Sequence, residues 1–339
     1  FQAPKLPQSQ IDVLPIDDEL AFHPAAASLK AMYDIGNVAI VQVIGYPNSS
    51  RSHFRAMDIW HTCTPEDIST VGWLGQATKE LDSKGENVLT SVNLGRGLPR
   101  ALASPGVPVT SVSELDSYGL MADISDLEQR QDALATFKRM YAPVLGTGQV
   151  SEYLARTGLD VIRGAEVLKE APKRYSSKVE YANNSIAKGL RDVARVYLAN
   201  LGTRIFYVEQ GGYDTHAIQN PTHPRLLMEL STAISDFFED LCDHNASEQV
   251  TMLVFTEFGR RMKDNGSGTD HGSGGGAFII GDRVEGGLYS EYPSLEPRNW
   301  ENDEDLRHSI DFRGIYGTLL EQWMSIEANP IVGGKYEQI

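Results

Sequence analysis

The sequence predicts an α/β protein with a largely parallel central sheet sandwiched by helices. Three observations predict it. Short, β-branched apolar runs recur at 38–44 (VAIVQVI), 203–208, 250–255 and 277–280, the pattern of buried strands. Helical periodicity fills much of the chain between them: Leu226, Leu227, Leu230, Ile234, Phe237, Phe238 and Leu241 make one apolar face over residues 223–242. The strand–helix–strand order from 203 to 255 then reads as a βαβ unit, whose strands run parallel with a right-handed crossover.

Taken in order, residues 1–20 are polar and Pro-containing and read as an extended lead-in. His23-Pro24 opens a short helix that Gly36 closes, and His23 is read as structural. Strand 38–44 ends in the turn-rich GYPNSSRSHF, which enters a helix over 54–61. NVLTSV at 87–92 reads as a further strand, and the Gly/Pro-rich 95–115 as irregular. Residues 124–201 are mostly helical in pattern, with Ile186, Leu190, Val193, Tyr197 and Leu198 on one face. A last helix is read at 313–326, and no internal repeat is present.

The chain has 339 residues, 41% of them hydrophobic, enough for one large α/β domain or two ordinary ones. Its formal net charge of −16 argues against nucleic acid or an anionic membrane as partner, because both need a basic patch. A small anionic substrate stays open, since a local metal or arginine overrides net charge. Cys63 and Cys242 make no disulfide framework and read either as a single bridge or, in preference, as two small buried or inert side chains. No apolar run reaches the length of about 18–20 residues that a transmembrane segment needs. The chain opens at Phe1 rather than Met, and no export signal is present within it.

The chemistry concentrates between Leu201 and Gly281. GGYDTH follows strand 203–208, TEFGRR follows strand 250–255, and Asp270-His271 sits in a Gly-rich loop before AFIIG. In a parallel sheet the carboxyl ends of strands share one edge, where ligands bind. Asp214, His216, Glu257, Asp270 and His271 therefore converge on one divalent-metal site. Arg260 follows Glu257 and can hold phosphate or sulfate oxygens. Near the end of strand 38–44, Arg51 and Ser52 stand at a helix start. A serine there is most often an N-cap, and becomes a nucleophile when a metal lowers its pKa. A Ser–His–Asp hydrolase triad is disfavoured because the G-x-S-x-G elbow is missing. His61, His223, His244 and His308 make weaker candidates.

The strings LPIDDELAFHPAAASLKAMYDIGNVAIVQVIGYPNSSRSHFRAMDIWHT, GGYDTH, TEFGRR, NGSGTDHGSGGGAFIIG and GGLYSEYP together resemble the exported bacterial proteins of domain of unknown function 1501. That family is similar to the alkaline phosphatase and sulfatase superfamily. The resemblance covers essentially the whole chain. It implies a single alkaline phosphatase-like domain over 1–339 and a twin-arginine export signal upstream, hence a periplasmic or cell-surface location. It also implies a Gly-Gly-Asn-Asp-Gly strand before Phe1 whose Asp serves a second metal. On this pattern Asp214, His216 and His271 form the first metal site, assisted by Asp270. Glu257 belongs to a second, where Phe258 replaces the usual imidazole. Ser52 stands at the nucleophile's place.

The expected function is hydrolysis of a phosphate or sulfate ester at a divalent metal, zinc foremost, with calcium and magnesium as alternatives. Ser52 attacks, and Arg51 or Arg260 binds the equatorial oxygens. The competing expectation is a non-catalytic exported binding or assembly protein that keeps a metal for its fold. A mutase or transferase on the same scaffold is a third, because fold does not fix reaction.

Overall fold

The computed structural model describes residues 13–116, 124, 126–140, 164–165 and 167–339. The predicted lead-in up to residue 12 and residues 141–163 of the predicted helical stretch lie outside them. In chain order, β1 (Leu14–Pro15) and β2 (Ala21–Phe22) form a minimal antiparallel pair. The turn between them is set by Asp17, whose Oδ1 accepts from the backbone of Glu19 and Leu20. A short 3₁₀ turn follows, capped by His23 Nδ1, which accepts from Ala25 N at 3.1 Å. It leads into α1 (Ala27–Asp34), β3 (Val38–Gly45) and α2 (His53–Thr62).

Next come α3 (Trp73–Leu81), β4 (Ser91–Leu94), β5 (Thr110–Val112), α4 (Leu127–Met140), α5 (Ser185–Leu198) and β6 (Ile205–Val208). The long α6 (Gln219–Asp243) precedes β7 (Met252–Val254), β8 (Gly259–Asp264), β9 (Thr269–Gly272), β10 (Gly275–Ile280), β11 (Gly287–Tyr289) and β12 (Ile310–Asp311). After β12 comes α7 (Phe312–Thr318), which continues as a π-turn over Leu319–Trp323.

The fold is mixed α/β, in two compact units. One comprises Phe1–Ser69, Val179–Lys188 and Gln210–Ile339, the other Thr70–Lys178 and Gly189–Glu209. In the first, β3 is central. It pairs parallel with β11 and β12 and antiparallel with β10, which pairs antiparallel with β7. Val38, Val41 and Ile44 are fully buried, as a nearly unbroken apolar strand requires. In the second, β4 lies between β5 and β6, all parallel.

The prediction of a largely parallel sheet therefore holds for the three-stranded sheet and needs correction for the larger one, which is mixed. The predicted βαβ unit is also corrected: β6 pairs with β4, while β7 pairs with β10. The reason lies after β7. A parallel return needs a crossover of about a dozen residues or more, usually a helix. Here the intervening chain is spent on the β8–β9 hairpin, and β10 comes back antiparallel. The predicted strand 87–92 starts later, at Ser91, because Asn87 is held in a turn. Asp82 accepts from the backbone of Glu86 and Asn87, and Asn87 Oδ1 accepts from Leu89 N. The Gly/Pro-rich 95–115, read as irregular, contributes β5.

In the second unit Arg195 binds two carboxylates, Asp116 at 2.5 Å and Asp192 at 2.9 Å. The hydrogen bond from Arg195 holds the Asp116 carboxyl below its usual range, whereas burial pushes that of Asp192 up. A lowered folded-state pKa contributes stability that is present above the ordinary carboxylate range and is lost as pH falls through the lowered value. Asp116→Asn should therefore flatten the acid-side loss of unfolding free energy, measured by urea titration at stepped pH. An unchanged pH profile would show that the pair contributes nothing.

Candidate metal centre

In the first unit, the Gly211–His216 loop is held at both of its faces. Tyr213 hydroxyl donates to Gln210 Oε1 at 2.9 Å and lies 3.4 Å from Leu226 O on α6. On the other side the loop meets the tip of the β8–β9 hairpin. Asn265 Nδ2 donates to His216 O at 3.0 Å, and Ile218 N donates to Ser267 Oγ at 3.1 Å. The glycines of this tip serve the contact. Gly266 has φ +96°, which a side chain resists. A Cβ on Gly268 would lie 2.4 Å from Thr215 O.

Asp270 and His271 consequently sit on strand β9, not in the loop that their glycines suggest. His271 is paired in register with Arg260 of β8. The hairpin had a signal in sequence: Asn265-Gly266 between two runs is a turn dipeptide.

Asp214, His216 and His271 come together, with one ligand atom from each lying within 4.8 Å of the others. Both imidazoles address the same oxygen: His271 Nε2 lies 2.5 Å and His216 Nε2 2.9 Å from Asp214 Oδ1. Each ring uses its other nitrogen on an outer acceptor. His271 Nδ1 faces the carbonyl of Arg51 at 3.2 Å, and His216 Nδ1 faces Asp270 Oδ1 at 3.0 Å. A carbonyl only accepts, so His271 Nδ1 carries the proton and its Nε2 keeps the lone pair unless the ring is an imidazolium. A lone pair and a carboxylate oxygen facing each other need a proton or a cation between them. Burial alone would raise the Asp214 carboxyl, but the His271 hydrogen bond and the charges of His271, His216 and Arg260 outweigh it, so its pKa is lowered. The side chain of His271 is 9% exposed, while those of Asp214 and His216 are about half exposed. The cluster is thus anchored on a buried imidazole and open on its other side.

Asp270 lies outside that group and holds the far nitrogen of His216. Glu257 is engaged by His53 Nδ1 and also lies outside it. His53, at the start of α2, was missed as a site residue. Nothing in its local sequence signals a partner 204 positions away. Phe258 lies flat on His271, with ring centroids 4.0 Å apart and planes at 14°. Arg51 binds Asp305 at 2.9 Å and Glu304 at 3.1 Å, and Glu304 also binds Arg261 at 3.1 Å.

Ser52 occupies the N-cap position of α2, but its hydroxyl makes no capping bond. It is exposed, and the carbonyl bonded to His271 belongs to the Arg51–Ser52 peptide. The weaker histidine candidates lie elsewhere in chemistry: His244 contacts Asp240, His223 packs edge-on against Tyr213, and His61 is buried. Cys63 and Cys242 are both free thiols, and burial pushes the Cys63 thiol up. Among the described residues no helix is long and apolar enough to cross a membrane.

Fold and site together define a mixed α/β protein with a two-histidine, one-carboxylate cluster. The family model described as protein of unknown function (DUF1501) matches residues 45–323, and the chain belongs to that family. Neither the curated proteins nor the solved structures contain a match to it.

Proposed function

We propose that this protein is a metal-dependent hydrolase of phosphate or sulfate esters. The observation that carries the reading is the shared focus of two imidazoles on Asp214 Oδ1, each ring held from behind by an outer acceptor. Metal-binding histidines are oriented in this way by a carbonyl or carboxylate on the second nitrogen. The donor set suits zinc better than calcium or magnesium, which prefer all-oxygen sites. An ion held by Asp214, His216 and His271 would supply Lewis-acid stabilisation of the transferring group and lower the pKa of a nearby hydroxyl.

The chain's own residues supply the rest. Ser52 Oγ attacks the phosphorus or sulfur, its proton passing to solvent. The ester bond breaks, and the alcohol leaves with a proton from water. A water then hydrolyses the seryl ester and restores Ser52. Arg51 binds the substrate's free oxygens by exchanging its half-buried partner Glu304, which Arg261 also holds, for them. An alkaline phosphatase-like arrangement and export to the periplasm belong to this same reading, and both rest on the family resemblance. Ser52→Ala should reduce turnover of an aryl phosphate or aryl sulfate by the zinc-loaded protein at least about 100-fold while zinc binding stays unchanged. Equal turnover by variant and parent would remove Ser52 from the mechanism.

A second reading is a non-catalytic exported binding or assembly protein whose metal serves the fold. It is favoured by Glu257, which is committed to His53 rather than to the cluster. Screening the zinc-loaded protein for ester hydrolysis separates the two, because both bind metal and only one turns over.

A further inference from the structure

The sequence pattern offers Arg260 as a binder of substrate oxygens, but its hydrogen bonds run to the protein. Nη1 donates to Thr269 O at 2.6 Å. Nη2 donates to Tyr213 O and lies 3.3 Å from Thr215 Oγ1. Thr269 immediately precedes Asp270 and His271, and Tyr213 and Thr215 flank Asp214. One guanidinium thus ties the residues on both sides of Asp214, Tyr213 through its carbonyl and Thr215 through its hydroxyl, to the strand that carries His271. The same guanidinium lies 5.0 Å from the Phe258 ring centroid, and Phe258 in turn stacks on His271. Arg260 therefore fixes the Asp214 loop by hydrogen bonds and the plane of His271 through Phe258.

We propose that Arg260 is a positioning residue that sets the separation of Asp214 from His271, and thereby the affinity of this site for a divalent cation. The proposal rests on Asp214, His216 and His271 being a metal site. The planar fork of arginine is what reaches acceptors on two separate segments, and neither glutamine nor the point charge of lysine reproduces it. Outer-shell partners of metal ligands typically contribute about 10–100-fold in affinity.

The test uses the full chain, its Arg260→Gln and Arg260→Lys variants, and Zn²⁺ titration against a competing chelator. The Co²⁺ absorption spectrum and the metal-free thermal midpoint are read alongside. The parent should bind one Zn²⁺. Arg260→Gln should bind it about 10–100-fold more weakly, with an altered Co²⁺ spectrum, and Arg260→Lys should fall between. If Arg260→Gln does not fold, Arg260→Lys against the parent carries the comparison. Parental zinc affinity and an unchanged Co²⁺ spectrum in the variants would overturn the proposal, even if the metal-free midpoint dropped. So would a variant that keeps zinc affinity and loses only inhibition by inorganic phosphate, because Arg260 would then bind the anion. A parent that binds no zinc refutes the metal-site reading itself, and that outcome is visible before any variant is made.

Discussion

His271→Ala is expected to abolish high-affinity zinc binding while the protein stays folded. His271 is the buried member of the cluster, and its Nε2 is the atom closest to Asp214 Oδ1. Alanine leaves one imidazole and one carboxylate, which is too few ligands for a structural or catalytic zinc. The loss should exceed the roughly 10–100-fold that follows removal of an outer-shell partner. It has a second readout. An ion bound only by the folded state stabilises it by about 2.7 kcal/mol at a hundredfold excess over Kd. Zinc should therefore raise the thermal midpoint of the parent and leave that of His271→Ala where it was. A variant that still gained the parental shift would place the ion elsewhere.

Phe312→Ala is expected to cost about 3–5 kcal/mol of stability, the range for truncating a buried aromatic ring. Phe312 is fully buried, stacks on Trp60 at 4.4 Å and meets Tyr316 and Tyr46 edge-on at 5.2 and 5.8 Å. The aromatic cluster is tied to the segment that carries Ser52 at both of its ends. Trp60 belongs to α2, Tyr316 donates to Trp60 O at 3.1 Å, and the Tyr46 hydroxyl accepts from Ser50 N at 2.8 Å. The effect should therefore spread from stability to the site. Urea unfolding should show a lower midpoint at constant m-value. Zinc affinity should also weaken, because the Arg51 carbonyl that holds His271 lies one residue beyond Ser50. A loss of unfolding free energy below about 1 kcal/mol would mean that the neighbours collapse into the cavity and that the ring is not needed to hold this segment.

The grouping of the candidate metal-binding residues was legible in sequence for a physical reason. Polar bursts after apolar runs collect where strands end, so Asp214, His216 and His271 could be grouped although 57 positions separate the first from the last. Element types were legible as well. The apolar face of α5 is carried by Ile186, Leu190 and Val193, all buried as their spacing predicts. Strand partners were not. Apolar periodicity says that 203–208 and 250–255 are strands, but hydrogen-bond direction depends on what the chain does next, and the β8–β9 hairpin turned β10 antiparallel to β7.

Side-chain pairings far apart in sequence were hidden for the same reason. His53 with Glu257, and Arg51 with Asp305, join segments that nothing local connects. The division of labour between Asp270 and His271 came only from the family resemblance, because periodicity did not place the two on a strand. Neighbours on a strand point to opposite faces. His271 enters the cluster, while Asp270 meets His216 at the outer nitrogen.

The most direct test is a crystal structure of the zinc-soaked protein with data collected on both sides of the zinc absorption edge. One anomalous peak is expected, bonded at about 2.0–2.2 Å to a carboxylate oxygen of Asp214 and to imidazole nitrogens of His216 and His271. Zinc elsewhere or not at all, with the two imidazoles still hydrogen-bonded directly to Asp214, would show that Asp214, His216 and His271 are not a metal site.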